Sequence, residues 1–325
     1  MPADENGRPE AGEFDIIRRH FAPLTRDFPG SFGLRDDAAV LRPGDGQELV
    51  LTADAMVAGV HFLRDDPAGD IARKLLRVNL SDLAAMGAQP LAYLVTTAFP
   101  RGTPETWIAE FAAGFAADQQ VFGAHLAGGD TVSTDGPLSL SLTAVGTLPI
   151  GSALRRSTAG VRDLIFVSGS IGEAGAGLNL LQGAAAVPGG EQLVARYRLP
   201  EPRTQLGPAL RGIATACIDV SDGLVADLGH IAEESRVAAT VALAKVPVSA
   251  ACRLVSPPAE AIVAGDDYEL LFTVKPEDSR RAEAAASAVG VPITCIGEIG
   301  SGEGVSVLDG DDRPITLPRA GFRHF

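Results

Sequence analysis

Residues 78–87 read Val78-Asn79-Leu80-Ser81-Asp82-Leu83-Ala84-Ala85-Met86-Gly87. They end a helix predicted over 70–86, which Gly87 closes as a C-terminal cap with Pro90 beyond it. At 3.6 residues per turn, Ile71, Leu75, Val78, Asp82 and Met86 fall in a sector of roughly 80°, so Asp82 lies on the stripe expected to face the core. Arg73, Lys74, Arg77 and Ser81 occupy the opposite side, which predicts an amphipathic helix. A carboxylate on a buried stripe needs a hydrogen-bonding partner, a capping role or a cation.

Around this helix the chain mixes short strands and helices. Helical spacing over 13–21 is broken by Pro and Gly over 23–33, and strands are predicted over 38–41 and 48–53. A strand over 91–99, a helix from Thr103 to about Phe122 and strands over 124–127 and 138–147 complete the first half. The texture then changes to Pro, Gly, Ser and Arg over 149–160, which divides the chain into domains 1–150 and 151–325. The second half begins with a strand over 164–168 and a glycine-rich turn leading into a helix. Helices over 191–198 and 224–235 follow, with strands over 239–243, 268–274 and 293–298. Strands and helices mix without strict alternation, so the expected class is α+β rather than a doubly wound sheet. The shared Ser-Asp of 79–87 and 220–229 is a single echo, not a repeat.

A chain of 325 residues with 46% hydrophobic and 21% charged residues can bury a core and is not disordered. Its 41 acidic against 27 Lys and Arg residues give a net charge of -14, which argues against nucleic acid or an anionic membrane as partner. Three scattered cysteines form neither a disulfide framework nor a metal clip, and no apolar run approaches a bilayer span. The expectation is a cytoplasmic protein with a short polar N-terminus. An acidic protein that handles phosphates must also recruit positive charge.

That requirement bears on a set of aspartates in apolar or glycine-rich company: Asp36 and Asp37, Asp54, Asp82, Asp130, and Asp219 with Asp222. Each alone has a plain structural reading. Asp54 could start a turn, Gly128-Gly129-Asp130-Thr131 could be one, and Asp219-Val220-Ser221-Asp222-Gly223 could cap the next helix. Two carboxylates about 4 Å apart repel by about 4 kcal/mol at an effective dielectric of 20, so their convergence would demand cations. Oxygen donors without clustered His or Cys favour Mg²⁺, which is usually held by a few carboxylates plus substrate phosphates. A nucleotide polyphosphate is the matching ligand. The only lysines are Lys74, Lys245 and Lys275 and no P-loop is present, nor is the protein-kinase motif set. Gly169 to Gly177 could cradle phosphate or allow close helix–strand packing. Arg155 and Arg156 could reach a phosphate or remain solvated, and Asp266-Asp267-Tyr268-Glu269 could be a substrate contact or a polar turn.

Taken in order, these segments resemble the bacterial thiamine-monophosphate kinase family, within the aminoimidazole ribonucleotide synthetase superfamily. The resemblance is carried by Gly12-Glu13-Phe14, Arg35-Asp36-Asp37-Ala38-Ala39, Thr52-Ala53-Asp54 through Gly59-Val60-His61-Phe62, and the stretch 78–87. It continues through Gly128-Gly129-Asp130-Thr131, Arg156-Ser157, Ile218-Asp219-Val220-Ser221-Asp222-Gly223-Leu224, Gly265-Asp266-Asp267-Tyr268-Glu269-Leu270 and Gly321-Phe322. It implies a two-domain fold with an N-terminal mixed sheet and helices and a C-terminal α/β sandwich-like domain. It also implies ATP-dependent phosphorylation of thiamine monophosphate to thiamine diphosphate by direct in-line transfer.

By the same resemblance, several Mg²⁺ ions are held at Asp37, Thr52, Ala53, Asp54, Asp82, Asp130, Asp219 and Asp222. ATP is bound at Gly129, Asp130, Arg156 and Ser221, and substrate at His61, Asp266 and Phe322. The N-terminal domain then carries ATP, Mg²⁺ and the contacts of a homodimer built on a shared barrel, and the C-terminal domain completes the site. Ala53 stands where the family usually has Thr, and Arg35 where Gly is common. Relatives in the superfamily fit less well: a selenophosphate synthetase needs a reactive Cys near its start, yet the first here is Cys217, and the hydrogenase-maturation relative ends in a cysteine, whereas this chain ends in Phe325. A non-catalytic Mg²⁺–nucleotide sensor is the rival of a different class.

Overall fold

The computed structural model describes residues 13–36, 38–317 and 321. The chain forms two compact units, one made of segments 1–45, 51–79 and 90–146 and the other of 46–50, 80–89 and 147–325.

The first unit is built on a four-stranded sheet of β1 (Gln47–Val57), β2 (Gln89–Pro100), β3 (His125–Thr134) and β4 (Ser139–Pro149), in the order β1-β4-β2-β3. Strands β2 and β3 are parallel, with Leu94, Thr96 and Ala98 opposite Gly128, Asp130 and Val132, so these six residues share one face. Helices α1 (Ala68–Ala85) and α2 (Glu105–Phe122) supply the other layer. Tyr93 packs on Phe115 and Phe99 on Phe111, with ring centroids 5.4 and 5.9 Å apart. The predicted strand over 38–41 is irregular, since β1 pairs with β4 instead. Gly128 to Thr131, readable as a turn, lies inside β3.

Helix α1 departs from the amphipathic expectation. Lys74, Arg77 and Ser81 are all buried, whereas Asp82 is only half-buried. The supposed polar face is an interior face whose charges have partners. Arg77 Nε donates to Asp118 Oδ2 at 2.5 Å and Arg73 Nε to Asp118 Oδ1 at 3.0 Å, the Asp118 carboxylate on α2 being fully buried. The two helices also approach so closely that a Cβ on Gly114 would lie 2.2 Å from the Gly69 carbonyl oxygen.

The second unit carries a six-stranded sheet of β5 (Leu164–Ser168), β6 (Ala214–Asp219), β7 (Ala238–Ala242), β8 (Leu270–Val274), β9 (Ile293–Gly300) and β10 (Gly304–Leu308). Its order is β10-β7-β9-β5-β8-β6, antiparallel except for the parallel β10–β7 pair. Helices α3 (Glu173–Leu181), α4 (Gly190–Arg198), α5 (Leu224–Ser235) and α6 (Ser279–Ala288) accompany it, with three shorter ones at Leu206–Ala209, Ala250–Val255 and Pro258–Ala261. Two apolar clusters hold the layers, one around Ile165, Ile218, Leu228 and Ile231, the other around Phe166, Phe272, Leu206 and Ala282. Strands β6 and β10 and helix α6 have no counterpart in the sequence reading.

The Gly69–Gly114 contact makes a clean test. Gly114→Ala should destabilise the first unit by about 1–3 kcal/mol through overpacking, read as earlier unfolding by the fluorescence of Trp107, the single tryptophan. Gly229→Ala, on α5 with open space at its Cβ, should leave that signal unchanged, because it removes only the helix penalty of glycine.

Candidate functional site

In the first unit the end of β1 and the turn after it are tightly tied. Gly59 N–H donates to Phe62 O at 2.8 Å and His61 N–H to Val57 O at 3.1 Å, so the chain folds back on itself. The His61 ring closes the turn by accepting the Val57 N–H at Nδ1, 3.0 Å away. A neutral imidazole with one acceptor nitrogen carries its proton on the other, which makes Nε2 the donor. Buried Lys74 donates from Nζ to His61 O at 3.2 Å, fixing the residue from the α1 side.

Thr52 and Asp54 are half-buried and Ala53 is exposed on the same strand. The Asp54 N–H donates to Asn79 Oδ1 at 3.2 Å, and Asn79 is anchored through Nδ2 to Leu75 O at 2.9 Å. Gly129 and Asp130 lie on β3, where a Cβ on Gly129 would meet Val95 O at 1.9 Å, so only glycine fits. Asp130 is exposed and its Oδ1 accepts the Thr131 N–H at 2.9 Å. A cavity of about 580 Å³ opens on this face, lined by Asp36, Leu94, Thr96, Gly129, Asp130 and Thr143 among others. Asp54 and Asp130 lie on the two edge strands of the sheet, β1 and β3.

In the second unit several candidates do converge. Asp219 ends β6, is buried, and accepts the Ser81 hydroxyl at Oδ2, 2.7 Å away. Burial and then the neighbouring Asp82 charge push its carboxyl well above the ordinary range, opposed by Ser81 and by Arg156. Arg156 is exposed, and its segment is held alongside β6 by Cys217 N–H donating to Arg155 O at 3.0 Å and Ser235 Oγ to Arg156 O at 2.9 Å.

Beyond Asp219 the chain pairs with the segment before β8. Val220 N–H donates to Glu269 O, Tyr268 N–H to Val220 O and Asp266 N–H to Ser221 O, each at 2.8 Å. These bonds set Ser221 beside Asp266. A Cβ on Gly265 would lie 2.4 Å from Ser221 O, so this approach also requires glycine.

Two residues of this neighbourhood escaped the sequence reading. Asp227, in the first turn of α5, accepts the N–H groups of Asp222 and Gly223 at Oδ2, both at 3.1 Å. Its carboxyl is pushed up to about 7 by burial and then by Asp222. Asp222, Asp227 and His230 offer ligand atoms within 4.8 Å of one another. The available signal was an acidic residue in the first turn of the helix that follows the Ser-Asp-Gly motif.

Asp219 thus feels the charge of Asp82, while Asp222 offers its ligand atoms alongside Asp227 and His230. The turn over 169–172 serves packing. Its Gly172 and Ala174 N–H groups are taken by Asp267, and a Cβ on Gly172 would lie 2.4 Å from that of Ala261. Gly12, Asp37 and Phe322 lie outside the described residues.

Comparison with known proteins identifies the family and the fold. Residues 35–148 match the AIR synthase related protein N-terminal domain and residues 161–310 its C-terminal domain. The thiamine-monophosphate kinase of Caulobacter vibrioides is 43% identical over 320 residues, spanning 96% of this chain and 90% of that protein. The crystal structure of the Stenotrophomonas maltophilia K279a thiamine-monophosphate kinase superposes with a TM-score of 0.81 at 42% identity, covering 89% of this chain and 96% of that one. AaThiL complexed with AMPPCP and TMP superposes with a TM-score of 0.77 at 29% identity, covering 97% of each chain. The chain belongs to the thiamine-monophosphate kinase family of AIR synthase related proteins.

Proposed function

We propose that this protein transfers the γ-phosphoryl group of ATP to the phosphate of thiamine monophosphate, releasing thiamine diphosphate and ADP. The observation that carries the reading is the backbone pairing of the Ser221–Asp222 segment with Asp266 at the end of a sheet whose neighbouring Asp219 is buried and charge-crowded. It ties the residues assigned to nucleotide and metal to the one assigned to the acceptor. AaThiL, bound to AMPPCP and TMP, supports the same pair of ligands.

A phosphate monoester is already anionic near neutral pH, so the acceptor needs no side-chain base. The task left to the protein is to align two mutually repelling phosphates and offset their charge, which is catalysis by positioning and electrostatics. Asp82, Asp219 and Asp222, with Thr52, Ala53, Asp54, Asp130 and Asp37, are the residues proposed to hold Mg²⁺, which when bound supplies that charge neutralisation. The crowding of Asp82 against Asp219 supports a cation there, since two ionised carboxylates otherwise destabilise each other.

Gly129, where a side chain is excluded, and the exposed Arg156 are assigned to ATP together with Asp130 and Ser221. His61, its donor nitrogen set by Val57, is assigned to the substrate with Asp266 and Phe322. A phosphate oxygen is the natural acceptor for His61 Nε2–H.

The protein acts as a homodimer in this proposal. Leu51, Leu94 and Val132 are 64%, 41% and 47% exposed on three strands of the first sheet. Exposed apolar side chains on a sheet with two open edges suit a second copy. A cytoplasmic location fits the free thiols Cys217, Cys252 and Cys295. Among the described residues no helix is long and apolar enough to cross a membrane.

ADP release should depend on both thiamine monophosphate and Mg²⁺. Asp219→Asn and Asp222→Asn should each lower kcat by roughly 100-fold or more while thermal unfolding of the whole chain followed by circular dichroism stays in place, and unchanged turnover in either would contradict the metal assignment. In sedimentation velocity, the wild type should run as a dimer and Leu94→Glu should shift it toward monomer. A monomeric wild type at micromolar concentration would overturn the dimer.

A further inference from the structure

The segment before β8 holds three side chains that the proposed chemistry does not use, Asp267, Tyr268 and Glu269, and two backbone conformations that need an explanation. Asp266 has φ +70° and Tyr268 φ +52°, both left-handed and both non-glycine. Such residues persist only where their surroundings over-determine them.

The alternate residues provide that determination. Asp267 accepts Gly172 N–H at Oδ2, 2.6 Å away, and Ala174 N–H at Oδ1, 3.2 Å away, locking the segment onto the start of α3. Glu269 is buried and gripped by Arg203, whose Nε donates to Oε2 at 2.6 Å and Nη2 to Oε1 at 2.5 Å. Ser168 Oγ donates to the same carboxylate and itself accepts the Leu270 N–H at 2.9 Å. A Cβ on Gly169 would lie 2.0 Å from Glu269 Oε1, so the β5 turn is shaped around this clamp. Between the two locks the remaining residues are presented together, the Tyr268 hydroxyl lying 3.4 Å from Asp266 Oδ1.

We propose that Asp267 and the Arg203–Glu269 pair are positioning residues for thiamine monophosphate: they pin the segment on both sides and thereby impose the left-handed conformations that aim Asp266 and Tyr268 at the acceptor. This rests on the reading that Asp266 contacts that substrate. The side-chain bonds of both locks run to α3, Ser168 and each other, so they act first on the acceptor end and reach the nucleotide end only through the backbone pairing with Val220 and Ser221. A role confined to capping α3 or filling the core would affect both substrates alike, or stability alone.

The test is steady-state kinetics with each substrate varied in turn, on Asp267→Asn, Arg203→Lys and Asp266→Asn, with thermal unfolding of each. Asp267→Asn keeps one acceptor oxygen but sets an amide donor against the second N–H, and Arg203→Lys keeps charge but loses the two-pronged grip. Both should raise KM for thiamine monophosphate by about tenfold, with a clearly smaller change in KM for ATP. Equal changes in both KM values, or lower unfolding temperatures with unchanged kinetics, would overturn the positioning role. If Asp267→Asn fails to fold, Arg203→Lys decides alone. Asp266→Asn separates the two readings: if it raises KM for thiamine monophosphate while the lock variants do not, only the positioning role fails. If it has no effect, the assignment of Asp266 fails and takes the positioning role with it.

Discussion

Asp219 is a buried carboxylate with another, Asp82, beside it, and little in the second unit makes sense without that pairing. Burial and like charge both disfavour ionisation, and a single hydroxyl from Ser81 plus the charge of Arg156 offset only part of the cost. A fold selected for stability alone would place an apolar residue there. The arrangement is consistent with a site that completes its charge balance only when a cation and phosphates arrive. Asp227 shows the same economy: it spends its hydrogen bonds on the Asp222 and Gly223 N–H groups, shaping the turn that carries Asp222.

Around this centre the structure uses backbone pairing rather than side-chain contacts to set functional residues in register. The β6–β8 ladder runs on past the ends of both strands, through Val220, Ser221, Asp266 and Tyr268. Glycine at 265 permits the approach and left-handed residues at 266 and 268 accommodate it. In the first unit His61 is treated similarly, with its ring bonded to the backbone of its own turn. Rigid backbone supports of this kind hold polar groups in place before any ligand is present, which limits reorganisation during reaction.

Much of this was legible along the chain because short motifs carry their own local physics. The helix over 70–86 and the observed Ala68–Ala85 differ by a residue or two, since Gly87 and Pro90 punctuate it. The α+β class and the strand–turn–helix opening of the second half were legible for the same reason. Strand β6 was missed because Ala214-Thr215-Ala216-Cys217-Ile218-Asp219 is short and has no alternation, being an edge strand buried on both faces. The stretch 38–41 looked like a strand from its apolar content, yet it finds no partner in the sheet. Helix α1 misled by its charges, because Arg73 and Arg77 find Asp118 more than forty positions away, and no periodicity shows that.

The amino-acid sequence by itself determined the kind of chemistry: oxygen donors, glycines where backbones must approach, no lysine-bearing phosphate loop, and an ordered set of motifs characteristic of one family. These are properties of residue type and spacing. Tertiary structure alone decided which carboxylates meet. It joined Ser81 to Asp219 and Ser221 to Asp266, left Asp54 and Asp130 on opposite edges of one sheet, and turned Asp267 and Glu269 inward as anchors. The reason is physical: desolvation and Coulomb repulsion depend on distances between groups far apart in the chain, and those distances exist only once the sheets have formed.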